Sequence, residues 1–469
     1  MRLDNKTKWF FGVSGIGKDA AYALSTIMFI YLTTYVGMSP AFVGTMFMAV
    51  RVFDAINDPI MGNIVQNTKS KWGKFRPWIL TGTILNAIIV IFVFINPGFA
   101  GDSIQLMIYI TIFYVLWGVS YTLMDIPFWS MIPALSKHKE DRESVSAITR
   151  FFTTVGFAIV SAPYLVFASM LGSGQGNVTL ATNEEMRTGF LLFSISIAVL
   201  FVISQLIMVL NVKEKNVIEN PKKTSLKKMW RLLVENDQLM IVMIVVVVTN
   251  FVLYITSTMA FYYIAYNLGN ENLFLPFIGF GLIVQLISIA LYTTLSKKLN
   301  RKQMYNYSIL LQIFAFLGLF ANAFFLGNNI PLVFGLGAFV FFGQGIGMVL
   351  TTLLLSDTVE YGELKTGSRS ESTVFSVQTF VVKLATGLSM GVVGLGLEVI
   401  NLQVDADSDS LLAQSASTLT GISVMMFILP IFGMLLARAI FNKYHRIDEV
   451  EYQNIVSELE QIRGSGAVE

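Results

Sequence analysis

The chain has 469 residues, of which 54% are hydrophobic and 13% charged, with 38 Phe, 22 Met and a mean hydropathy of +0.66. That composition excludes an ordinary soluble domain and indicates an integral membrane protein. The absence of cysteine excludes disulfides, thiolate metal sites and cysteine nucleophiles, and a net charge of +2 gives no reason to expect nucleic acid as a partner.

A spanning helix takes about 20 apolar residues, so the length accommodates about twelve spans and no additional soluble domain. The basic start, Met1 to Lys8, leads into an apolar run that holds Lys18 and Asp19 and has no small-residue cleavage site, so it reads as the first span and not as a removed signal. Apolar runs place spans at roughly 9–36, 40–65, 77–97, 104–133, 147–172 and 189–211, then 238–267, 273–296, 304–326, 332–357, 373–401 and 418–441. Lys69, Lys71, Lys74, Arg76, Lys137, Lys139, Arg142, Lys297, Lys298, Arg301, Lys302, Lys365 and Arg369 fall in loops on one side, whereas the opposite loops carry only Arg187. By the positive-inside rule both termini are cytoplasmic. The basic segment 212–237 reads as a cytoplasmic linker between two six-helix halves, residues 1–211 and 238–441, and residues 442–469 as a cytoplasmic tail. His138 and His445 lie in polar segments and read as solvated.

The halves repeat weakly. Asp125 is followed by Glu143-Ser144 and Arg150, and Asp357 by Glu371-Ser372 and Gln378, with Lys383 beyond. Two halves related by an axis along the membrane normal are the arrangement of the major facilitator fold, with the substrate site between them near midplane.

The second span contains Arg51-Val-Phe-Asp-Ala-Ile-Asn-Asp58, so Arg51, Asp54 and Asp58 line one helical stripe with Asn57 beside them. Charges at hydrocarbon depth are costly and normally face a protein interior or a watery cavity, which points to a transport site. A hard monovalent cation needs oxygen ligands. Asp54 and Asp58, one turn apart, supply carboxylates, Asn57 an amide oxygen and Thr122 of the fourth span a hydroxyl. The same carboxylates suit a proton, because desolvation and a like charge both raise an acid's pKa. In the fourth span Tyr121, Asp125 and Trp129 share a face at i−4, i and i+4. With Asp19 and Arg150 they make a polyol site: carboxylates accept from hydroxyls, the arginine fork donates to them, and the indole packs on the apolar face of a pyranose. Pro127 is expected to distort the helix locally there.

The motifs GxGKD at Gly15 to Asp19, RVFDAINDPIMG at Arg51, KWGKFRPW at Lys71, YTLMDIPFWS at Tyr121, RFF at Arg150, SDTVEYGE at Ser356 and SVQTFVVK at Ser376 resemble those of the glycoside-pentoside-hexuronide:cation symporters. Within that family of the major facilitator superfamily they are most similar to bacterial melibiose permeases. The resemblance implies a cation site at Asp54, Asn57, Asp58 and Thr122. It implies sugar contacts at Lys18, Asp19, Tyr121, Asp125, Trp129, Arg150, Gln378, Thr379 and Lys383, and a gating loop at Lys71, Trp72, Gly73, Lys74 and Arg76. The chain departs from the pattern at Met348, where the melibiose permeases carry an aromatic residue, and at Thr26, where they carry tyrosine. The resemblance therefore carries fold and coupling further than the identity of the sugar.

These readings lead to an all-α membrane protein that acts as a monomeric secondary active transporter of the bacterial cytoplasmic membrane, without a cofactor. It would couple entry of Na+, Li+ or H+ to uptake of a galactoside, glucoside, xyloside or glucuronide by alternating access. The competing classes are a lipid or lysolipid carrier of the same wider fold and a membrane glycosyltransferase. The latter finds neither a metal-binding His/Asp cluster in a loop nor a loop domain able to hold a nucleotide.

Overall fold

A computed structural model describes residues 3–68, 70–101, 103–136, 139–214, 230–231, 234–367, 371–404 and 412–465. His138 and the greater part of the expected linker, including Lys222, Lys223, Lys227 and Lys228, lie outside them. The described residues contain helices and no β-strand. They group into two compact units, Met1–Lys223 with Leu402–Ala413, and Thr224–Asn401 with Gln414–Glu469.

The first unit comprises α1 Asn5–Ile30, α2 Pro40–Gln66, α3 Arg76–Phe94, α4 Ile104–Leu135, α5 Lys139–Ser161, α6 Tyr164–Ser173 and α7 Asn183–Asn211. Local chemistry sets their ends. Asp4 and Ser103 accept backbone N–H groups at the starts of α1 and α4, and Thr182 with Glu185 forms a reciprocal capping box on α7. The single span expected over 147–172 is instead two helices, because Pro163 has no N–H and its ring crowds the preceding turn.

The second unit comprises α8 Asp237–Tyr262, α9 Phe274–Leu295, α10 Arg301–Phe325, α11 Ile330–Thr366, α12 Glu371–Val399, α13 Ala416–Ser423, α14 Leu429–Tyr444 and α15 Glu449–Ser465. The 37 residues of α11 are about 55 Å long, so it extends beyond a hydrocarbon core of about 30 Å and past the end expected near 357. The segment read as a plain tail contains α15, whose Ile455 and Leu459 join Ile447 in a small buried cluster against Tyr361 and Leu364 of α11.

The repeat is clearer in the packing than in the sequence. In the first unit the first span (α1) packs on the fifth (α5) and sixth (α7), the third (α3) on the fourth (α4) and sixth, and the second (α2) on the fourth. The second unit repeats these pairings as α8 on α12 and α14, α10 on α11 and α14, and α9 on α11. Each first span also ends in a π-helical turn, Tyr31–Tyr35 and Tyr263–Asn267, followed by a glycine with positive φ, Gly37 and Gly269.

Glycine allows a close approach between α1 and α5. A Cβ on Gly156 of α5 would lie 2.1 Å from the Ile16 carbonyl of α1, and one on Gly12 of α1 would lie 2.3 Å from an Ile148 methyl of α5. Small residues let membrane helices pack backbone to backbone.

Candidate functional site

In the first unit α1, α4 and α5 assemble a charged cluster around Lys18. Its Nζ lies 2.7 Å from Asp19 Oδ1 and 2.7 Å from Asp125 Oδ1, and donates to the Tyr121 hydroxyl at 3.1 Å. Lys18 is only 4% exposed, so its charge depends on these partners, whereas the two carboxylate side chains are 23% and 30% exposed and remain reachable. Trp129 Nε1 donates to Asp125 Oδ1 at 3.1 Å, and the Arg150 guanidinium lies 4.3 Å from the centre of the Trp129 ring. Both protein contacts of Asp125 fall on Oδ1, so among the described residues Oδ2 remains available to a ligand. The cluster combines two cations, two carboxylates and an oriented indole. It can accept from and donate to several hydroxyls while presenting a flat apolar surface.

A second group lies between α2 and α4. Arg51 Nη1 is 3.2 Å from Asp54 Oδ2, with both residues buried, and Thr122 donates to Asp58 Oδ1 at 3.3 Å. Asn57 is buried on the same stripe, and its Nδ2 has no hydrogen-bond partner among the described residues. A Cβ on Gly118 would lie 2.8 Å from Asp54 Oδ1. Asp54 and Asp58 on α2 therefore meet Gly118 and Thr122 on α4, with the same four-residue spacing on both helices. Gly118 was not anticipated from the sequence. Its signal there is the i−4 offset from Thr122, visible only once α2 is known to face α4.

Six of the nine expected sugar contacts, Lys18, Asp19, Tyr121, Asp125, Trp129 and Arg150, thus lie in the first unit, and the contacts above tie them into one cluster. Gln378, Thr379 and Lys383 lie on α12 of the second unit, half-buried, exposed and half-buried in turn. Of the two departures, Thr26 turns its hydroxyl back onto the Ala23 carbonyl at 2.7 Å. Met348 is 55% exposed, with Gln285 Nε2 3.2 Å from its sulfur.

In the loop before α3, Lys71 and Trp72 are exposed and Lys74 is buried. Glu214, just beyond α7, accepts from the backbone N–H groups of Lys74, Phe75 and Arg76 at 2.7, 2.8 and 3.0 Å, satisfying the open donors at the start of α3. Gly73 has φ +106°, a conformation that glycine adopts without strain, and a Cβ there would strike the Glu214 carboxylate. Arg76 Nε donates to the Val209 carbonyl at 2.8 Å. The role of Glu214 was not anticipated, since nothing local marks a carboxylate 140 residues away as the cap of this loop.

The structure corrects the reading of His445 as solvated. His445 is 8% exposed and stacks on Phe441 with ring centres 4.5 Å apart, so it is not solvated. Asp357, matched by the repeat to Asp125, is 2% exposed and bonds to Arg301 of α10.

The described residues include ten helices long and apolar enough to cross a membrane, and α1 and α2, which carry Lys18, Asp19, Arg51, Asp54 and Asp58, are outside that set. A family model described as MFS/sugar transport protein matches residues 10–448. The chain belongs to this family. It is a multi-pass membrane transporter of the glycoside-pentoside-hexuronide symporter type, not an enzyme. Among its relatives, the lactose permease of Leuconostoc lactis is 27% identical over 97% of this chain and 72% of that protein. The raffinose carrier protein of Pediococcus pentosaceus is 26% identical over 98% and 73%, and the isoprimeverose transporter of Lactiplantibacillus pentosus 26% over 97% and 91%. Among solved structures, an inward-facing bacterial homologue of the human lysosomal transporter Spinster aligns with a TM-score of 0.69 at 12% identity, covering 97% of this chain and 98% of that one. The nucleoside transporter NupG aligns with a TM-score of 0.63 at 15% identity, covering 95% and 100%. These two alignments show a shared fold and carry no information about substrate.

Proposed function

We propose that this family member is a sugar:cation symporter that takes up a glycoside or oligosaccharide with Na+, Li+ or H+ by alternating access. The observation that carries the reading is the use of α4 by both groups: Gly118 and Thr122 face the α2 carboxylates, while Tyr121, Asp125 and Trp129 belong to the Lys18 cluster. The cation is held by Asp54, Asp58, Asn57 and Thr122. The sugar is held in the first unit by Lys18, Asp19, Tyr121, Asp125, Trp129 and Arg150. Lys18 neutralises Asp19 and Asp125 and fixes their carboxylates for hydroxyl recognition, and Trp129 stacks on the ring. Arg51 is the structural partner of Asp54.

A cation at Asp58 and Thr122 restrains α4 from one side, and sugar restrains it from the other. Each ligand then tightens the other by the same factor, as linkage requires. Lys71, Trp72, Gly73, Lys74 and Arg76 form the gating loop at the cytoplasmic side, where both termini lie. The relatives named for lactose, raffinose and isoprimeverose direct the first substrate panel to galactosides and xylosides. The test is uptake into energised vesicles, with and without Na+, Li+ or a proton gradient, for the wild type and Asp58→Cys. The wild type should accumulate a glycoside with one of these ions, and the variant should bind sugar with no response to that ion. Failure of the wild type to accumulate any glycoside, or unchanged ion stimulation in a correctly inserted variant, contradicts the assignment.

A further inference from the structure

Tyr22, one turn along α1 from Lys18, is assigned to neither group above, yet it touches both. Its ring lies 5.3 Å from the Tyr121 ring and 6.5 Å from the Trp117 ring, centre to centre. On its other side the Arg51 guanidinium carbon lies 6.0 Å from the ring centre, at the outer range of a cation–π contact. Arg51 holds Asp54, and Tyr121 receives the Lys18 hydrogen bond. A continuous chain of contacts therefore runs Asp54, Arg51, Tyr22, Tyr121, Lys18, Asp125. It lies beside the direct route along α4, where Tyr114, Trp117 and Tyr121 stack with centres 5.8 and 5.7 Å apart.

We propose that Tyr22 is a positioning residue that couples the ion group to the sugar group through its ring, by registering Arg51 against Tyr121. The inference rests on the symport reading above. A cation held beside Asp54 competes with Arg51 for its carboxylate and so alters how strongly Arg51 is held there. Arg51 is buried, so a shift of its guanidinium is transmitted to the ring packed on it and not dissipated in solvent. Moving that ring alters the seat of Tyr121, whose hydroxyl helps fix the Lys18 ammonium between its two carboxylates. The coupling follows the ring and not the hydroxyl, because each contact of Tyr22 on this chain is made by the ring.

The measurement is sugar affinity of the purified full-length chain, using a nitrophenyl galactoside or xyloside, with and without the coupling ion, in wild type, Tyr22→Phe and Tyr22→Leu. Ion affinity is measured in parallel without sugar. Tyr22→Phe should retain the wild-type ratio of the two sugar affinities. Tyr22→Leu should lower that ratio at least threefold while each ligand alone binds within about threefold of wild type. A wild-type ratio in Tyr22→Leu overturns the inference alone. Loss of sugar binding in both variants without ion overturns it too, since Tyr22 is then a sugar contact through its hydroxyl. No ratio in the wild type overturns the symport reading and this inference with it.

Discussion

The two units share a helix-pairing scheme and use their buried charges differently. In the first, Lys18 gathers Asp19 and Asp125 around side chains that remain partly exposed, and the cluster presents carboxylate, guanidinium and indole together. In the second, Asp357 bonds to Arg301, and the Arg301 guanidinium carbon lies 4.9 Å from the centre of the Tyr452 ring of α15. Asp125 and Asp357 occupy matching places near the ends of the fourth spans. One faces a basic partner shared with a second carboxylate, which leaves capacity for a ligand. The other is closed by an arginine with an aromatic ring beside it. A repeated scaffold thus does not repeat its chemistry, and the partner that each neighbouring helix supplies decides whether a buried carboxylate binds or braces.

The largest expected effect tests that contrast directly. Asp125→Asn should weaken glycoside binding by about a hundredfold or more, since it removes charge from a group that holds Lys18 and receives sugar hydroxyls. Asp357→Asn should leave glycoside affinity within about threefold, yet lower stability by roughly 2 kcal/mol, less than a fully buried pair because the Arg301 side chain is 25% exposed. Ligand titration and thermal unfolding of the same purified variants check both. Equal loss of binding in the two would end the distinction between binding and bracing carboxylates.

A smaller effect is expected at Gly118. In Gly118→Ala the new methyl presses on Asp54, so affinity for the coupling ion should fall by about tenfold. Glycoside affinity measured without the ion should change much less. A variant that binds the ion normally would show that the α2 and α4 contact is not part of the ion site.

The smallest effect concerns His445 at the end of α14, in the second unit. Burial pushes its imidazole down to about 4, with Lys302 and Arg301 adding to the shift and Asp448 opposing it. A histidine kept neutral in the fold takes up a proton more readily when unfolded, so its contribution is fully present above about pH 6.5 and is lost as pH falls toward 4. Thermal unfolding across that window should be steeper in wild type than in His445→Phe, which keeps a ring against Phe441. Parallel profiles would show that the buried imidazole does not set the acid sensitivity of this end.

Most spans were legible because composition and length constrain a membrane helix strongly, whereas α1 and α2 fall outside that criterion. The Lys18 cluster was legible because Tyr121, Asp125 and Trp129 fall on one face in sequence. The pairing of Asp357 with Arg301 was not legible, because periodicity identifies a face without identifying the neighbour it meets, and only the fold brings Arg301 to it. His445 was misread for a related reason: a polar local sequence does not reveal a ring stacked one turn earlier. The helix α15 gave little signal, since it buries only a few apolar side chains and the rest of its surface is polar. Glu214 lay beyond reach of any local rule, because its three donors come from a loop 138 to 140 residues earlier in the chain.

The most direct test of the account is sugar affinity of the purified chain measured as a function of Na+, Li+ and pH, together with ion affinity measured as a function of sugar. The account predicts that one of these ions raises sugar affinity and that sugar raises affinity for that ion by the same factor. Sugar affinity that is flat across all three, in a preparation that binds glycoside, would contradict it.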